Sequence, residues 1–314
     1  MPAGQVSVQF VTVGDPGNAP DTNGLGSVPY TFQMGECDIT AGEYTEFLNA
    51  VATTDPYGLY DLNMNPASGF AACGIVRTGN PGTYSYSVVA GDANFPVNEV
   101  TWGDAARFCN WLANGQPATG AENASTTEDG SYALNGALTD QQLAAVTRSS
   151  SARYVIPTQN EWYKAAFYKG GSTNAGYWLY PTQSDTPPSN VLSATGDNNA
   201  NFLDPVLGLT DPLNGLTPVG AFVDSPGPYG TFDMGGDVSQ WDETEVNTNE
   251  RVIGGAAFNV GVSYLESDNL FASPGSTYAS VTGFRIAELP EPNSLALLAV
   301  AAAGLLRRKQ RPAV

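Results

Sequence analysis

The stretch "VSVQFVTVG" alternates apolar and polar side chains and then breaks at Asp15-Pro16-Gly17, the pattern of a half-buried strand that ends in a turn. Three later stretches pass from a strand pattern into a helical one. "YTFQMGECDITAGEYTEFLNAV" sets Thr40 and Glu43 in capping-box spacing, with Tyr44, Phe47 and Leu48 on one helix face. "PVNEVTWGDAARFCNWLA" repeats the plan with Thr101 and Asp104, and "YVIPTQNEWYKAAFYKG" with Thr158 and Glu161. In each, the Thr hydroxyl accepts from a free N–H of the first turn and the acid three residues on answers back. Three short helices are therefore expected. Between them lie a polar loop, Pro56 to Gly69, and a hairpin-like run, "GIVRTGNPGTYSYSVVAGD". Residues 116–151 are poor in aromatics and read as an insertion with one weak helix near Thr139 to Val146.

From Tyr177 to Arg285 regular periodicity almost vanishes, and the segments are turn-rich and aromatic. So long an irregular span requires a fold that packs loops on a small core, or ions that hold the loops. The chain closes on "LPEPNSLALLAVAAAGLLRRKQRPAV", a Pro-Glu-Pro triplet, an apolar run from Leu295 to Leu306 and four basic residues. As a helix that run spans about 18 Å, short of a bilayer core of about 30 Å. It is marginal as a permanent anchor.

Composition narrows the choice of function. The chain has 314 residues and a net charge of -19, a field that repels phosphate backbones, so no nucleic-acid partner is expected. There is no histidine, which removes Ser-His-Asp and Cys-His nucleophiles and the usual zinc and non-haem iron sites. Cys37, Cys73 and Cys109 form no C-x-x-C and allow at most one disulfide; Cys109 reads as helix core. The N-terminal "MPAGQVSVQFVTVGDPGN" has neither the basic nor the apolar region of a signal peptide.

Taken in order, "PVNEVTW-DAARFCNWL", "IPTQNEWYKAA", "YGTFDMGGDVSQW", "RVIGG" and "GFRIAE" resemble the signature segments of the formylglycine-generating enzyme (sulfatase-modifying factor) family. The resemblance runs from about Val11 to Glu288, and residues 1–288, with the insertion at about 116–151, are expected to form one domain. Residues 289–314 resemble a PEP-CTERM sorting signal. The resemblance implies an α+β fold, C-type-lectin-like, with little regular secondary structure and long loops. It implies calcium at two sets of oxygens: Asn201, Phe202, Asp211 and Leu213, then Asp233, Met234, Gly236 and Val238. Calcium takes six to eight hard oxygens, which turn-rich backbone supplies; the plainer reading is that these residues build Asx-turns. Near the second set the family's "GNVWEW" is "GDVSQW", with Asp237 for Asn and Gln240 for Glu.

The family's chemistry uses two cysteines after the Gly-Gly pair, which bind copper(I) and oxidise a substrate cysteine to formylglycine. Here Asn259 and Tyr264 stand in their places. Neither is a soft thiolate, so no copper is expected. The expected function is a non-catalytic binding or structural module, exported to the cell envelope or outside it. Asn259, Tyr264, Trp178 and Tyr180 are its candidate contacts to a surface glycan or protein ligand. An active formylglycine-generating oxidase, or another enzyme on the same scaffold, is the alternative. The tail implies exosortase-type sorting machinery and transient membrane association through 295–306. Export also implies a signal peptide that this sequence does not show.

Overall fold

The computed structural model describes residues 4–193 and 195–290. In chain order its first half runs β1 (Phe10–Val13), β2 (Phe32–Gly35), α1 (Ala41–Val51), β3 (Ile75–Thr78), β4 (Ser85–Val88), α2 (Trp102–Ala113) and α3 (Asp140–Ala144). There follow β5 (Tyr154–Val155), α4 (Gln159–Phe167), β6 (Ser239–Asn247), β7 (Glu250–Gly254), β8 (Phe271–Pro274), β9 (Thr282–Gly283) and β10 (Ala287–Glu288). One sheet has the order β1-β2-β10-β5, a second β8-β7-β6-β9, and β3-β4 forms a separate hairpin. This is a mixed α+β fold with long loops.

The helix starts are those the sequence marks. Thr40, Thr101 and Thr158 each cap their helix, with Glu43, Asp104 and Glu161 returning the bond. A fourth box, Thr139 with Gln142, starts α3. α1 and α2 meet through Tyr44, Phe47, Phe108 and Trp111, with Phe284 against Tyr44 and Phe108. All five are fully buried, and burying such a side chain is worth about 1.5–3 kcal/mol.

Two expectations change. The first strand is shorter than its alternation, because the ladder to β2 covers only Phe10–Val13. Val6 instead exchanges both backbone bonds with the Gln116 side chain, at 2.7 and 3.0 Å. The span from Tyr177 to Arg285 also holds a four-stranded sheet. Its central strand escapes a period-2 reading because Ser239, Gln240, Trp241 and Asp242 are all buried, three of them polar. A strand covered on both faces shows no alternation.

Arg285 locks this sheet to the first one. Its guanidinium donates to the carbonyls of Gly35 (2.7 Å), Glu36 (3.1 Å) and Phe232 (2.6 Å), and to Gln240 Oε1 (3.0 Å). The three cysteines are free, Cys73 and Cys109 buried and Cys37 partly so. Among the described residues no helix is long and apolar enough to cross a membrane. The run at 295–306 and its basic end lie outside the described residues.

Candidate functional site

β7 delivers the chain to Gly254 and Gly255, and both positions need the absence of a side chain. A Cβ on Gly254 would lie 2.9 Å from the Trp162 ring. Gly255 sits at φ +90°, and a Cβ there would lie 2.8 Å from the Met234 carbonyl, a backbone that suits glycine. Its own carbonyl accepts from Gly236 N at 2.7 Å. The loop that follows is thus clamped at its root. Ala256, Ala257 and Phe258 turn inward, whereas Asn259 is exposed.

A short 3-10 turn, Val262–Leu265, then presents Tyr264 at 44 % exposure. Its ring lies against Phe271 of β8, centroids 5.7 Å apart and planes inclined by 32°. Phe271 is itself 39 % exposed. Nothing in the sequence pattern separates this Phe from a core one, so the pairing is visible only in three dimensions. Tyr180 is brought to the same loop but offers no open face. It packs in a small second core with Ala200, Phe202, Ala256 and Leu265, and its hydroxyl donates to Glu266 at 2.7 Å. Trp178 donates through its backbone N to the Phe167 carbonyl at the end of α4 (2.8 Å) and lies half-buried beneath the Lys169 ammonium at 4.2 Å.

No thiol stands in this loop. Cys73 and Cys109 are wholly buried, and burial pushes Cys73 up to about 11 and Cys109 well above the ordinary thiol range. Burial, with the Asp233 charge beside it, raises Cys37 to about 12. Two roomier hollows lie elsewhere. One of about 450 Å³ borders α3, and one of about 410 Å³ lies between Tyr30, Arg148, Ala152 and Leu289–Pro290.

The two oxygen sets differ in their fit to calcium. Asn201 Nδ2 donates to Gly215 O (2.8 Å) and Asp237 Oδ1 (3.1 Å), which fixes the amide's orientation. Its Oδ1 is then left buried with no partner, a deficit worth about 1–3 kcal/mol that a hard cation would meet. Phe202 O accepts from Asn190 Nδ2 at 3.0 Å and keeps a second lone pair. Asp211 has taken the Asx-turn, accepting from Leu213 N and Asn214 N, and Leu213 is exposed. The first set therefore fits calcium through Asn201 and its neighbour more than through Asp211.

The second set is met at Asp233 by protein donors. Asp233 Oδ2 accepts from Gly220 N at 2.6 Å, and Asp233 O accepts from Gln240 Nε2 at 2.7 Å. Protein donors already face it. Asp233 also lines a small hollow of about 10 Å³ with Thr182, Asn199 and Thr231, whose Oγ1 has no protein partner; that is close to the least space one water needs. Burial raises the Asp38 carboxyl to about 8 and holds Asp237 well above the carboxylate range. Among the described residues no group of three or more Cys, Asp or Glu side chains is arranged to hold a metal ion.

Comparison with known proteins gives a consistent picture. The model of the sulfatase-modifying factor enzyme 1-like domain matches residues 2–289. The PEP-CTERM protein-sorting motif matches residues 288–311, and such a motif implies export and sorting to the cell envelope. Among solved structures, CarF is 18% identical with a TM-score of 0.55, covering 91% of this chain and 99% of its own. Treponema denticola variable protein 1 is 17% identical with a TM-score of 0.55, covering 92% and 98%. Both share the fold. No curated protein sequence matches the chain.

Proposed function

Since the chain belongs to the sulfatase-modifying factor enzyme 1-like family, we propose that it is an exported member that binds a surface glycan or protein and carries out no copper-dependent oxidation. The observation that supports this most is the loop after Gly254-Gly255. Asn259 and Tyr264 occupy the positions where the family resemblance places two thiolates. An amide and a phenol hydrogen-bond and stack; they do not hold copper(I), which prefers soft thiolate or thioether ligands. The nearby chemistry suits recognition. Tyr264 and Phe271 give a paired aromatic surface, and Asn259 an exposed amide beside it in sequence. Aromatic anchors of this kind are enriched among residues that dominate binding energy.

Calcium at Asn201 and Phe202 belongs to this reading as a support for the loops, with Asp211 reorienting to join. So does the tail, which would be handled by exosortase-type machinery and hold the membrane only in passage. The binding role is tested on an array of glycans and envelope peptides. The wild type should give selective signals that Tyr264→Ala and Phe271→Ala each reduce at least fivefold while far-ultraviolet circular dichroism is unchanged. Selective binding that survives both substitutions would remove this loop from the account.

A further inference from the structure

We propose that Gln240 closes the second oxygen set in place of a metal ion, so that Asp233–Val238 binds no calcium and a single change of amide to carboxylate would create a site. The inference is independent of what the loop at Tyr264 binds. Gln240 is fully buried, and its orientation is fixed from one side. Oε1 accepts from Trp162 Nε1 at 2.7 Å and from Arg285 Nε at 3.0 Å. Two N–H groups cannot face an amide nitrogen, so the flipped orientation is excluded. Nε2 must then point at Asp233 O, 2.7 Å away, with Asp38 Oδ2 at 3.4 Å.

The consequence turns on one atom. With Gln, a donor meets the Asp233 carbonyl and the contact needs nothing more. With Glu, Trp162 and Arg285 would still satisfy one carboxylate oxygen. The other would face the Asp233 carbonyl oxygen at hydrogen-bond distance, acceptor against acceptor. Such a pair is stable only with a cation or a proton between the oxygens, and hard oxygens in turn-rich backbone suit calcium. Gly236 and Asp237 hold the backbone beside this point, since Asp237 N donates to Asn201 O at 2.9 Å. The Gln240 carboxamide thus stands where a cation beside the Asp233 carbonyl would have to sit.

The test is the number of calcium ions bound per chain, measured by equilibrium dialysis at about 1 mM free calcium, the range of extracellular modules. Wild type and Asp233→Ala should hold the same number, because a closed set leaves Asp233 no ion to hold. Gln240→Glu should hold one more, be less stable than wild type in chelator and recover on adding calcium. A wild type that binds no ion would support the closure while contradicting the reading of Asn201. Loss of an ion in Asp233→Ala, or a folded Gln240→Glu that gains none, would overturn the proposal. If Gln240→Glu fails to fold even with calcium, Asp233→Ala alone decides.

Discussion

Gly236 sits at φ +91°, and a Cβ there would lie 2.3 Å from the Asn201 carbonyl. Both the conformation and the close approach require glycine. Gly236→Ala should cost at least about 1–3 kcal/mol from backbone strain alone, read as a fall in the urea midpoint. A loss below about 0.5 kcal/mol, the range of an indifferent surface change, would mean that the two oxygen sets are not joined as described. Asp242 makes a second residue-scale case. It is fully buried, and neither carboxylate oxygen has a partner. Burial, with Glu161 and Glu243 nearby, holds its pKa well above the usual range. A raised folded pKa means that stability is fullest below the unfolded value near about 4 and declines as pH rises toward the folded one. Asp242→Asn removes that decline, so its stability relative to wild type should grow from pH 5 to pH 8. An equal difference at both pH values would show that Asp242 is not held neutral. Neither role is legible in the sequence, where "DMGGD" reads as a turn and "SQWDE" as polar, because burial is decided by the strands that cover them.

The helices were legible because their signals are local. A Thr, an acid three residues later and an apolar face specify a start without reference to the rest of the chain, as at Thr40, Thr101 and Thr158. Strands were less so. The hairpin β3-β4 shows in "GIVRTGNPGTYSYSVV", but β6 is hidden by its burial and β10 by its brevity. The insertion's helix, α3, depends on a distant residue. Arg251 of β7 donates to the carbonyls of Leu143 (2.5 Å), Ala144 (3.0 Å) and Val146 (2.6 Å) at the end of α3, and its guanidinium lies 3.9 Å over the Trp102 ring. A planar fork achieves this and a lysine ammonium does not. Arg251→Lys should destabilise the protein by about 2–3 kcal/mol, as when buried acceptors lose a charged partner. Hydrogen exchange should rise first at 139–147. Uniform loosening of the whole chain would contradict a local clamp.

At the scale of the molecule, loops held by buried polar contacts surround a large aromatic core and a small second one. Arg285 and Gln240 join the two larger sheets, and Asn201 ties the long loop after Tyr177 to the turn at Gly236. Calcium at Asn201 would act through binding the folded state alone, and a ligand present at a hundred times its Kd adds about 2.7 kcal/mol. Restoring calcium after chelation should therefore raise Tm, and Asn201→Ala should abolish the rise; a Tm indifferent to chelator would contradict it. The candidate surface was only partly legible. Gly254-Gly255, Asn259 and Tyr264 could be placed from the motif, whereas the inward turn of Phe258 and Tyr180 and the Tyr264–Phe271 pair follow from packing. We propose above all that this fold, in this chain, does no copper-dependent oxidation. The direct measurement is to incubate the purified protein with copper(I), oxygen and a Cys-x-Pro-x-Arg peptide, and to follow the peptide by mass spectrometry. The peptide cysteine should show no formylglycine above a copper-only control. Formylglycine formed faster than in that control would mean that a thiol reaches the loop at Tyr264 and that the chain is an oxidase.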